Sequence, residues 1–185
     1  MRRALPWLLG TALVLGAGVA VAITPSNTAT TQAFLVHGDA DEAATGRTLT
    51  AQVRDASFAE RITVDDGEWD ASGNWLVVTV VASAPRTEVG ASIHLATLVI
   101  GDRTFQASER PRTSLLGADL RVGTDTVGML AFELPPDVDA GVGELRLVTG
   151  YTTPHLDDVV VLPVSLDDLP SAAEIDVTEP AWEWS

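Results

Sequence analysis

After residue 47 the chain alternates apolar and polar positions with a period of two, except for one stretch that is apolar at both phases. In residues 74–84 (NWLVVTVVASA), Leu76, Val78, Val80 and Ala82 share one face of an extended strand, and Trp75, Val77, Thr79 and Val81 share the other. Successive strand side chains point to opposite sides, so a segment apolar at both phases loses solvent on both faces and belongs at the centre of a sheet. Its valines would also give up rotamer freedom in a helix, which favours the extended state.

Shorter runs surround it. Leu49, Ala51 and Val53 alternate with Thr48, Thr50, Gln52 and Arg54 as a half-buried strand, and Phe58, Ile62 and Val64 predict a second. Residues 65–70 form an acidic turn ahead of the central strand, and Pro85 ends that strand because it has no amide hydrogen for a ladder. Residues 93–100 predict the next strand. Gly101-Asp102 then makes a tight hairpin whose return, residues 103–106, buries Phe105. Residues 126–134 place Leu130, Phe132 and Leu134 on one face, and Pro135-Pro136 stops them. Residues 144–149 turn Leu145 and Leu147 inward with Glu144 and Arg146 outward, and residues 158–164 give a last strand in which Pro163 argues for an edge position. About eight strands in roughly 120 residues, without helical periodicity, predict an all-β, antiparallel two-sheet sandwich.

The first residues follow a different rule. Arg2 and Arg3 precede an uncharged run, and as a helix the 19 residues from Leu5 to Ile23 would be roughly 28 Å long, close to the hydrocarbon thickness of a bilayer. A hydrophobic helix over residues 5–23 is therefore expected to hold the chain in the cell membrane as a single pass, with the C-terminal domain outside. Ala20-Val21-Ala22 offers the alternative of secretion after cleavage near Ala22. The expected organisation is an anchor or signal peptide over residues 1–23, a linker over 24–46, the sandwich over 47–168 and an acidic tail over 169–185.

Composition narrows the chemistry. The formal charge is −15, and all eleven basic residues are Arg. Such a surface repels phosphate backbones, which argues against nucleic acid as a partner. The absence of Cys removes disulfides, thiolate nucleophiles and a lipid-modified cysteine, and the absence of Lys removes Schiff-base chemistry. His37, His94 and His155 stand in no metal-ligand spacing, and no Ser occupies a G-x-S-x-G elbow, so neither a metal nor another cofactor is expected. Asp157-Asp158 and Asp167-Asp168 bracket the last strand, where paired carboxylates would have to divide acid and base roles in a cell-envelope hydrolase. Against that alternative stands a non-catalytic binding or accessory module. Its candidate contacts for an envelope protein or peptide are a local basic island of Arg103, Arg110, Arg112 and Arg121, and the tail residues Trp182 and Trp184, which project from one side of an extended chain.

The run Trp75 to Val81, the Gly101-Asp102 hairpin with Phe105, and Val122-Gly123 through Gly128, Phe132 and Pro135 together resemble a bacterial domain-of-unknown-function family with telokin-like, immunoglobulin-like folds, found on exported lipoproteins and anchored proteins. The resemblance covers about residues 47–166. It implies an immunoglobulin-like sandwich with an extracytoplasmic accessory or binding role, and it brings no catalytic residues.

Overall fold

A computed structural model describes residues 33–40, 42–64, 67–86, 91–150 and 157–183. The helix expected over residues 5–23 lies outside them, and among the described residues no helix is long and apolar enough to cross a membrane. Twelve strands are described: β1 (Phe34–His37), β2 (Ala44–Thr45), β3 (Thr50–Val64), β4 (Trp69–Ser83), β5 (Leu95–Ile100), β6 (Arg103–Gln106), β7 (Asp125–Leu134), β8 (Val142–Val148), β9 (Asp158–Ser165), β10 (Ser171–Ala172), β11 (Ile175–Asp176) and β12 (Ala181–Glu183). They form two sheets. One runs β1-β9-β8-β5-β6; the other runs β10-β3-β4-β7-β12, with β2 and β11 also paired to β3.

The double-faced apolar strand is central, as its pattern requires. β4 pairs antiparallel with β3 on one side and β7 on the other. Its inward face, Leu76, Val78, Val80 and Ala82, joins Leu130 and Phe132 of β7 and meets Leu98, Leu145, Leu147, Val160 and Leu162 of the other sheet in the principal core. Burying a side chain of this size contributes roughly 1.5–3 kcal/mol, so this layer is the main source of stability. The outward face is only partly covered: Trp75 and Val77 enter a second apolar cluster with Ala131, Ile62, Val64 and Val177, while Thr79 and Val81 stay half-buried.

That second cluster depends on a bend and a strap. The β3–β4 register shifts between Ala59 and Arg61, and an irregularity of this kind bends the ribbon. Beyond it, Ile62, Val64, Trp69 and Ala71 all belong to the cluster built on Trp75. The chain after β11 then covers it: the Val177 amide donates to the Thr63 carbonyl, and the Thr113 hydroxyl donates to the Val177 carbonyl.

Several expectations are corrected. The two short strands expected around Leu49 and Phe58 are one continuous strand, because Arg54 sits at a register shift rather than at a turn and Asp55 and Ser57 pair in the ladder opposite Thr79 and Val77. The linker expected over residues 24–46 contains β1 and β2: Phe34–His37 pair with β9, and Ala44 is buried in the principal core. The acidic tail over 169–185 likewise supplies β10, β11 and β12 to the second sheet. The sheets are not wholly antiparallel, since β1 runs parallel to β9, and β10 and β11 run parallel to β3. β9 is an interior strand despite Pro163. Its ladder with β1 ends opposite Val161, so among the described residues no strand on that side requires the amide hydrogen that Pro163 lacks.

Candidate binding site

The tail strand β12 lies along β7, with Ala181 opposite Val127, Trp182 opposite Thr126 and Glu183 opposite Asp125. Three residues of ladder are too few to hold a chain end alone, and two side-chain contacts add to them. Arg54, on the far side of the sheet at the first irregularity of β3, forms two hydrogen bonds to the Glu183 carboxylate, at 2.9 and 2.7 Å. Arg121 places its guanidinium 4.1 Å from the centroid of the Trp182 ring, within cation–π range. The same hydrogen bonds hold the Glu183 carboxyl below its ordinary proton affinity, and they raise that of Arg54.

Trp182 remains 57% exposed in this docked position. The tail therefore presents a ledge of one aromatic ring, a stacked cation and a strand with no neighbour on its outer side among the described residues, features that suit strand addition by an extended segment. Trp184, expected to project beside Trp182, lies outside the described residues.

The basic island does not form one patch. Arg103, at the start of β6, pairs with Asp137 at 2.8 Å and lies over Phe105 at 5.3 Å; the bond from Arg103 holds the Asp137 carboxyl below its ordinary range. Arg110 pairs with Glu133 and lies 5.3 Å from the Trp75 ring and 5.9 Å from that of Trp69. Arg112 shares with Arg110 a cleft of about 330 Å³ that also contains Val64, Glu68 and Trp69. Arg121 serves Trp182 instead. Residues close in sequence are thus distributed among β6, the cover of the second apolar cluster and the tail ledge.

The paired carboxylates have structural partners. Arg47 bridges Asp157 at 3.2 Å and Asp158 at 3.0 Å, and the Arg47 amide also donates to Asp158. Asp167 accepts the Gly141 amide, and Asp168 adopts a φ of 58°, a conformation that Asp tolerates better than most residues. Among the described residues no three His, Cys, Asp or Glu side chains are grouped to hold a metal ion.

Sequence reasoning missed the contacts that assemble the ledge. Arg54 and Glu183 are 129 positions apart, and no local spacing marks them as partners. The Arg61 contact with Glu174 shares that property, whereas its contact with Asp70 only crosses the β3–β4 ribbon.

No family model matches the chain, and no curated protein matches it. Two solved structures are similar to it. A candidate lipoprotein from Staphylococcus aureus is 10% identical, with 75% of this chain and 97% of that chain covered at a TM-score of 0.46. An uncharacterised β-sandwich protein from Clostridium difficile is 8% identical, with 77% and 100% covered at a TM-score of 0.46.

Proposed function

We propose that this chain is a non-catalytic binding or accessory module of immunoglobulin-like type, displayed outside the cytoplasmic membrane and tethered there by a helix over residues 5–23. Secretion after cleavage near Ala22 is the alternative route to the same location. Its partner is an envelope protein or peptide, met at the ledge of Trp182, Arg121 and the outer edge of β12. The observation that carries this reading is Trp182 itself: a large aromatic fixed in place by Arg121 yet 57% exposed, on a strand at the margin of its sheet.

The competing envelope hydrolase needs a carboxylate with a raised proton affinity in a water-excluding cleft. The acids at the start of the last long strand, and the two whose proton affinity is shifted, support the module instead. Asp157 and Asp158 are engaged by Arg47, and both Asp137 and Glu183 are shifted downward by Arg partners.

A photocrosslinking residue introduced at Trp182 of the full chain, in its own membrane, tests the proposal. An adduct of defined mass is expected, with none when the crosslinker replaces Val142, which is also exposed but belongs to the other sheet. Deleting residues 181–185 should abolish partner capture while leaving the fold intact. Equal capture by the truncated chain would remove the ledge as the contact.

A further inference from the structure

A cleft of about 340 Å³ lies along the segment joining β6 to β7, with His94, Glu109, Arg112, Ser114, Leu116 and Gly117 in its walls. Its frame is tied at several points. The Ser114 amide donates to the Pro111 carbonyl, Leu115 to Met129, Gly117 to Ile93 and His94 to Val148, all between 2.8 and 3.1 Å. The Ser114 hydroxyl accepts the Leu116 amide, and the hydroxyl of buried Ser92 lies 2.9 Å from Nε2 of His94. Glu109 and Arg112 therefore project from a backbone that is already ordered, so a ligand would not have to supply that ordering energy.

These two charges share the cleft without neutralising each other. Arg47, Arg54, Arg61, Arg103, Arg110 and Arg146 each have a carboxylate partner, and Arg121 has Trp182. Among the described residues neither Arg112 nor Glu109 forms an ion pair. A guanidinium presents a planar fork suited to a carboxylate, and a carboxylate accepts from an ammonium group. The net charge of −15 repels ligands with a net negative charge, but it imposes no such penalty on a molecule with one charge of each sign.

We propose that this cleft binds a small zwitterion of amino-acid type, a free amino acid or short peptide, with its carboxylate on Arg112 and its ammonium on Glu109. The volume is near the lower end of the range for small-molecule sites, roughly 300–1,000 Å³, which suits one or two residues. Leu116 offers the apolar wall for a ligand side chain. The site is separate from the tail ledge and does not depend on it.

Alanylalanine titrated into the full chain in detergent micelles, followed by the NMR signals of the His94 imidazole, tests the assignment. Saturable binding is expected, and Arg112→Gln and Glu109→Gln, both at exposed positions, should each weaken it at least tenfold. N-acetylalanine lacks the ammonium and alanine amide lacks the carboxylate, so each should bind at least tenfold more weakly to the unmodified chain. Absence of saturable binding, full affinity in both variants, or tighter binding of inorganic phosphate than of the dipeptide would overturn the proposal.

Discussion

Glu133 on β7 stands directly opposite Trp75 on β4, and Arg110 closes over both, pairing with the carboxylate while its guanidinium lies 5.3 Å from the indole centroid. Trp75 is fully buried although it points away from the principal core. A charged residue from an irregular segment thus acts as a lid on the second apolar cluster. Arg110→Ala is expected to lower stability by about 1–2 kcal/mol, the sum of a modest exposed ion pair and a cation–π contact. Urea unfolding measures it, and a loss below about 0.3 kcal/mol would mean that the lid is not needed.

Phe132 sits on the opposite face of β7 from Glu133, fully buried between the two sheets. Phe132→Ala should cost ~3–5 kcal/mol through the cavity it leaves. Thermal and urea unfolding of the variant would check this, and a loss under ~1 kcal/mol would contradict the inward placement of this face.

Gly128 is required by close approach rather than by its backbone angle. A Cβ there would lie 2.9 Å from Leu115 Cδ1, 3.0 Å from Leu115 Cβ and 3.2 Å from Pro180. Gly128→Ala should therefore destabilise by ~1–3 kcal/mol through overpacking. Gly128→Ala combined with Leu115→Ala should recover part of the loss specific to Gly128, a non-additivity that a double-mutant cycle would detect.

Docking of the tail should depend on pH in a defined direction. The Glu183 carboxyl has a lower proton affinity when paired with Arg54 than its ordinary value of 4.5, so the ion pair supports the docked tail fully above that value. The support is lost as pH falls through the lowered value, while Arg54 stays protonated throughout. The Trp182 indole signal should shift toward that of a free tail only once pH falls below the ordinary carboxyl value of 4.5, and Glu183→Gln should remove most of this pH response. Release that is already complete near neutral pH in the unmodified chain would contradict the latch.

The strand content was legible because the inward and outward sides of a sheet impose a period of two on the residues themselves. Leu145 and Leu147 inward, with Glu144 and Arg146 outward, needed no tertiary information, and the structure places them accordingly. The burial of the inward face of residues 74–84 was legible for the same reason; on the outward face Trp75 and Val77 are buried, whereas Thr79 and Val81 are only half-buried. What covers the second face was not, because Val177 and Arg110 come from distant segments that carry no strong pattern of their own.

Residues 34–37 and 171–183 were assigned to linker and tail for a related reason. Short edge strands gain stability from ladder hydrogen bonds to a sheet already formed, and those bonds leave no mark on side-chain polarity. The sequence by itself determined an all-β chain, the inward set of each long strand and an acidic surface, because burial acts on each residue through its own polarity. Tertiary structure alone decided which strands stand side by side, which Arg meets which carboxylate and where Trp182 is displayed, because those outcomes depend on segments that local pattern does not connect, Arg54 and Glu183 being the most widely separated of the ion pairs described.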